Sequence, residues 1–208
     1  MADLWKVVRD VATITGSEGI VYIGGVAIYL HTTKTSMPPE TTHDADAAVS
    51  IVGWSSLRDR YEAETNQRLS KSQITVDDVE VDLYVQHKSR LRFDYVELAQ
   101  YASERRNFRI ASRGHLLLLK LDAFRDRGSS QKGAKDRRDL AKLLVMLAST
   151  KGDDFDLVLG SVTDADLVLL DQVVRSSAFM EITKRNAKTA SSLRTKAESF
   201  VKRMRDAR

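Results

Sequence analysis

The chain has no cysteine, which excludes disulfides, thiol chemistry and cysteine-ligated metal centres. It has only two prolines, Pro38 and Pro39, side by side in one loop. No stretch approaches the roughly 20 apolar residues needed to span a bilayer, so no membrane partner is expected. The opening MADLWKVVRDVATITG is broken by Arg9 and Asp10; it reads as an amphipathic helix and not as a signal peptide. With no export signal, the expected compartment is the cytoplasm. No internal repeat is visible.

What is present is ordinary for a soluble globular protein: 208 residues, 42% hydrophobic and 30% charged. That length is enough for one sizeable core, or for a domain with a helical extension. The net charge is +4, and its distribution says more than its total. Acids outnumber bases from Pro38 to Glu97. Bases dominate from Tyr101 to Lys142, and the tail from Lys184 onward is basic again. Such asymmetry suggests a polyanionic partner; solvated helix faces give the same pattern.

Along the chain, Leu4, Val7, Val8, Val11 and Ile14 recur at helical spacing. GIVYIGG reads as a short strand ending in two glycines, with a helix beginning at VAIYLH. TTKTSMPPETT is a loop, DADAAVSIV a strand and GWSSLRDRYEAE a helix. SQITVDDVEVDLYVQ reads as a hairpin, with strands at Gln73–Val76 and Glu80–Val85 and a turn at Asp77-Asp78. FDYVELAQYA predicts a helix and NFRIAS a strand. RGHLLLLKLDAFRD and KDRRDLAKLLVMLAS predict helices separated by a polar loop, RGSSQKGAK. The rest is helical, with Thr163 as an N-cap and Ala178 to Met204 as one long helix or two shorter ones. Mixed sheet first and helices last predict an α+β fold, with a soft boundary near Gly152.

ETTHDADAAVS poses the chemical question. A strand points residues i and i+2 to one face, so Asp44 and Asp46 would be like charges held together, with Ala45 and Ala47 behind. His43 would point the other way and serve structure. Asp82 has the opposite parity to its apolar neighbours Val79, Val81, Leu83 and Val85. If the strands are neighbours, three carboxylates converge, which calls for compensation. Mg²⁺ takes oxygen ligands and keeps waters and substrate phosphates, and two such ions about 3.5–4 Å apart suit phosphoryl transfer. Gly24 and Gly25 would admit phosphate oxygens to backbone amides at a helix start. Each part has a plain alternative: a tight turn for the glycines, solvated strand ends for the carboxylates.

IGGVAIYLH, THDADAAV and VEVDLYV together resemble the DNA polymerase beta-like nucleotidyltransferase superfamily. LLLLKLDAFRDRGSSQKGAKDRRDLAKLL is similar to the helical motif of AbiEii-like and MenT-like bacterial toxin nucleotidyltransferases. The likeness runs over roughly residues 18 to 147. It implies a minimal nucleotidyltransferase fold, a small mixed sheet flanked by helices, with a catalytic core over residues 1–150 and a helical extension over 151–208. It implies that Gly24 and Gly25 border the triphosphate, that Asp44, Asp46 and Asp82 bind Mg²⁺, and that Asp82 helps activate the acceptor hydroxyl. Lys120 would contact the NTP phosphates, and Asp136 would complete the pocket. Relatives of the toxin type transfer nucleotides to RNA, in the MenT-like group to tRNA 3′ ends, which adds an RNA acceptor and a cognate antitoxin as expected partners.

The residues themselves leave alternatives. Lys120, flanked by leucines, either snorkels or finds an anion. Asp136 and Asp139 fit a solvated helix face with neighbouring Arg and Lys equally well. Arg125 and Arg127 either reach phosphates or lie on plain surface. Where relatives often carry an Arg just before the Asp-x-Asp, Glu40, Thr41 and Thr42 stand here. The loop from Thr32 to Thr41 could serve as a lid or an acceptor-recognition element.

Overall fold

The computed structural model describes residues 3–33, 35, 37–67, 70–128, 130–150 and 152–208. Lys34 and Ser36 of the expected Thr32–Thr41 lid, and Ser129 of the expected polar loop, lie outside the described residues. The chain divides into two units, Met1–His31 with Glu40–Ser112, and Thr32–Pro39 with Arg113–Arg208.

The first unit carries the sheet. Its elements in chain order are α1 (Leu4–Thr15), β1 (Ile20–Ile23), α2 (Gly24–Thr32), β2 (Ala45–Val49), α3 (Ile51–Arg58) and β3 (Ala63–Asn66). They continue with β4 (Lys71–Val76), β5 (Val79–Val85), α4 (Tyr95–Gln100), β6 (Ser103–Arg105) and β7 (Phe108–Ile110). The seven strands lie in the order β3-β4-β5-β2-β1-β7-β6. The sheet is mixed: β2 runs parallel to β5 and β1 parallel to β7, and the other pairs are antiparallel. The fold class is α+β.

Local chemistry explains where these elements start and stop. The Asp3 side chain accepts from the Trp5 amide and caps α1, which buries Val7, Val8 and Val11. Every residue of β1 is buried. Tyr22 in its middle is fully buried; its hydroxyl donates to the Val8 carbonyl and so ties the sheet to α1. The β4–β5 hairpin turns at Asp77 and Asp78, with φ of 47° and 65°. Positive φ at both central residues is the two-residue turn whose twist matches paired strands.

Several expectations change. The helix read over GWSSLRDRYEAE begins earlier and ends sooner: the Ser50 hydroxyl accepts from the Gly53 amide at 3.0 Å, and α3 closes at Arg58. Ala63–Asn66 is an exposed edge strand paired antiparallel with β4, so pairing overrides the helical pattern of that segment. The strand NFRIAS gains a partner, β6, through a tight turn at Arg106 and Asn107 with φ of 51° and 66°.

The second unit is helical: α5 (Arg113–Arg127), α6 (Gln131–Ala148), α7 (Asp153–Ser161), α8 (Asp164–Arg175), α9 (Ala178–Ile182) and α10 (Ala187–Asp206). Leu116, Leu117, Leu118 and Leu121 of α5 pack into a core with Leu140, Leu143, Leu144 and Leu147 of α6. The polar loop expected over RGSSQKGAK is mostly helix. Ser130 caps α6 by accepting from the Gly133 amide at 3.0 Å. Gly133 lies against the Gly128 carbonyl, where any Cβ would collide. Thr163 and Asp166 form a full capping box at α8. Of the two readings of residues 178–204, the structure takes the two-helix one: Lys184 and Arg185 adopt φ of 51° and 66°, and Asn186 caps α10.

Candidate active site

In the first unit, β2 and β5 bring two carboxylates side by side. Their parallel register pairs Asp46 with Asp82, and registered residues of neighbouring strands project to the same face. Ile23, the last residue of β1, stands opposite Asp46 on the other side. Gly24 follows with φ of 56°, a conformation that disfavours any side chain by about 1–2 kcal/mol. A Cβ at Gly24 would also run into the Asp46 carboxylate. The absence of a side chain there is thus required twice, by backbone conformation and by the carboxylate over it.

Asp44 lies just before β2. Asp44 and Asp46 are partly exposed, whereas Ala45 and Ala47 are buried. Thr42, itself buried, donates from Oγ1 to Asp44 Oδ1 at 2.7 Å. The same Oγ1 would be 2.6 Å from a Cβ at Gly25. Thr42 therefore links Asp44 to the second glycine. Sequence reading passed it over as a place where relatives carry Arg. His43 is exposed.

Asp82 has a resident partner. The Lys71 ammonium forms an ion pair with Asp82 Oδ2, and the two side chains are only 15% and 18% exposed. Asp82 Oδ1 is buried without a hydrogen-bond partner. Lys71 escaped sequence reading because the hairpin was expected to begin at Gln73; the strand starts two residues earlier, on the same parity.

These residues can be tested against a divalent cation. Among the described residues, no group of three or more His, Cys, Asp or Glu is gathered tightly enough to hold an ion by itself. Two neighbouring carboxylates and one buried oxygen without a hydrogen bond suit a hard ion that keeps waters and phosphates as its other ligands. The glycines at the start of α2 let the Asp46 carboxylate and the Thr42 side chain stand close against the backbone there.

The remaining expected residues belong to the second unit. Lys120 of α5 reaches Asp136 Oδ1 at 2.8 Å and Asp139 Oδ2 at 3.0 Å. Asp136 and Asp139 are 2% and 3% exposed, so neither sits on a solvated helix face. Lys120 finds anions within its own unit. Asp139 was legible only as half of a Lys-Asp-x-x-Asp spacing. Arg127 lies 3.8 Å from Asp136 Oδ2. Arg125 donates to Asp122 at 3.0 Å and also pairs with Asp166, the fully buried acid of the α8 capping box.

No protein-family model matches the chain, and no curated protein matches it. Solved structures do. The chain is similar to JHP933 from Helicobacter pylori, with a TM-score of 0.51 at 15% identity, over 100% of this chain and 96% of that one. It is also similar to a "putative nucleotidyltransferase" from H. pylori, with a TM-score of 0.49 at 14% identity, over 100% and 99% of the two chains. A third is an antigenic nucleotidyltransferase-like protein from Paracoccidioides brasiliensis, with a TM-score of 0.43 at 15% identity, over 90% and 88%. The likeness to JHP933 shows a shared fold; the other two fall below a TM-score of 0.5 and support no conclusion about this chain. Among the described residues no helix is long and apolar enough to cross a membrane.

Proposed function

We propose that this chain is a Mg²⁺-dependent nucleotidyltransferase that moves NMP from an NTP to an acceptor hydroxyl, with an RNA, the tRNA 3′ end, as acceptor and toxin activity as the consequence. One observation carries this reading: Asp46 and Asp82 stand in register on adjacent parallel strands, with Asp46 over a glycine of positive φ at the start of a helix. That arrangement concentrates negative charge beside a place where a triphosphate can meet backbone amides. The toxin role and the cognate antitoxin rest on the motif resemblance alone.

In this reading Gly24 and Gly25 receive triphosphate oxygens, and Asp44 is steadied by Thr42. Magnesium, with a second ion where two bind, would offset charge on the phosphates and lower the barrier to hydroxyl attack. Asp82 draws the proton of the acceptor hydroxyl as that oxygen attacks the α-phosphate in line, and pyrophosphate leaves. Lys120 is the cation assigned to the phosphates by resemblance, and Asp136 and Asp139 orient its ammonium.

A second reading keeps the chemistry and changes the acceptor to a small molecule or a protein side chain. Its support is the use made of the basic tracts. Arg109 binds Glu18 at 2.7 Å and the Ala99 carbonyl at 2.6 Å, Arg138 meets Glu181 at 3.3 Å, and Arg208 meets Asp164 at 2.7 Å. Cations held this way are less available to an RNA backbone.

The discriminating experiment supplies Mg²⁺, each α-labelled NTP in turn, and total cellular RNA or protein. Label in a tRNA band that disappears with Asp46→Asn supports the RNA reading. Label confined to protein or small molecules selects the second reading. No transfer with any NTP and acceptor overturns catalysis and leaves a nucleotide-binding protein or an antitoxin.

A further inference from the structure

Lys71 opens β4 and shares a face with Gln73, which is registered opposite Asp82. Its ammonium meets Asp82 Oδ2 in a setting where both side chains are largely shielded from water. Asp46 is the next carboxylate along the sheet. An ammonium so placed lowers the charge of the Asp46–Asp82 pair by one unit. It also repels any second cation that approaches the same oxygens, and partial burial weakens the screening of that repulsion. A nucleoside triphosphate reverses the balance, because its phosphates bring more negative charge than the ammonium offsets.

We propose that Lys71 is a built-in counter-cation of the carboxylate site: it holds Asp82 oriented, and it keeps free divalent ions out until a nucleotide arrives with them. Lys71 is a positioning residue acting through Asp82. The inference rests on the nucleotidyltransferase reading. It accounts for an ammonium standing beside one of two neighbouring carboxylates while the other Asp82 oxygen is left without a hydrogen bond.

The test is Mn²⁺ binding, followed by electron paramagnetic resonance on the full chain. Wild type, Lys71→Met and Lys71→Arg are titrated without nucleotide and then with each non-hydrolysable NTP analogue in turn. Removing a nearby like charge should tighten Mn²⁺ binding in Lys71→Met by about tenfold or more without nucleotide, on the scale by which one close charge shifts another site's equilibrium. Lys71→Arg should bind as wild type does. The right analogue should bring wild type close to Lys71→Met. A lysine that merely ties β4 to β5 would leave Mn²⁺ affinity unchanged or weakened on substitution, and that result overturns the proposal. Circular dichroism establishes that the variant is folded, and Lys71→Gln replaces Lys71→Met if it is not. Mn²⁺ binding to wild type with an analogue but no gain in the neutral variant defeats the role of Lys71 alone. No Mn²⁺ binding in any state defeats the nucleotidyltransferase reading with it.

Discussion

Asp46 and Asp82 occupy the same register on β2 and β5, two parallel strands at the centre of a seven-stranded sheet. Parallel strands with helical connections are usually apolar on both faces. β2 departs from that only at Asp46, and β5 alternates apolar and polar residues throughout. The polar positions thus fall where neighbouring strands place them together.

That placement has a stability cost that can be measured. Asp46 and Asp82 are like charges in register, and Lys71 pairs with Asp82. Asp46→Asn should therefore raise the melting temperature in EDTA while abolishing transfer. Two unit charges about 4 Å apart repel by about 1 kcal/mol in bulk water and by more where they are partly buried, so about 1 kcal/mol is a lower bound. That corresponds to about 2–4 °C for a chain of this size. Thermal unfolding in EDTA checks it. Equal or lower stability of the variant would mean that the carboxylates do not strain the sheet.

The second unit makes the opposite prediction for its own charged cluster. Lys120 is the cation within reach of both Asp136 and Asp139, and both acids are almost fully buried. Lys120→Met should destabilise the protein by up to about 3–5 kcal/mol, because it removes the ammonium that buried Asp136 and Asp139 share, with Arg127 still 3.8 Å from Asp136. Lys120→Met with Asp139→Asn should cost less than the sum of the two single changes. Urea unfolding of the four proteins closes the cycle. Additive costs would show that Lys120 and Asp139 are energetically independent. A loss of transfer in Lys120→Met is informative about phosphate contact only beside this measurement.

Much of this was legible because it depends on local rules. The Asp77-Asp78 turn, the Thr163 cap and the strand–glycine–helix junction at Gly24 all follow from residue type and spacing. What escaped depends on partners far along the chain. β3 is a strand only because β4 lies beside it, and the turn at Arg106-Asn107 carries no glycine to announce it. Lys71 and Thr42 acquire their roles from Asp82 and from Asp44 with Gly25, contacts that no spacing encodes. The basic tail carries contacts that a count of charges does not show. Arg203 stacks 4.3 Å from the centre of the Phe155 ring, and its guanidinium donates to the Thr150 carbonyl at 3.0 Å. Arg205 pairs with Asp171. Positive charge counted along the chain was thus partly internal fastening within the helical unit.

Tyr22 yields a prediction that needs no view of function. Burial pushes its pKa well above the usual tyrosine value, since an ionised phenol inside the sheet would lose its hydration. The folded state therefore holds the phenolic proton more tightly than the unfolded chain does. Stability from this source is fully present below about pH 10, the unfolded value, and is lost as pH rises beyond it. At pH 8, Tyr22→Phe should cost about 1 kcal/mol, because the Val8 carbonyl loses its donor. Above about pH 10 the advantage of wild type should shrink by about 1.4 kcal/mol per pH unit. Urea unfolding of both proteins from pH 8 to pH 11 measures the difference, in which other titrating groups cancel. A gap that stays constant across that range would mean that Tyr22 ionises in the folded state as readily as in the unfolded one. The buried hydroxyl would then not be what joins α1 to the sheet.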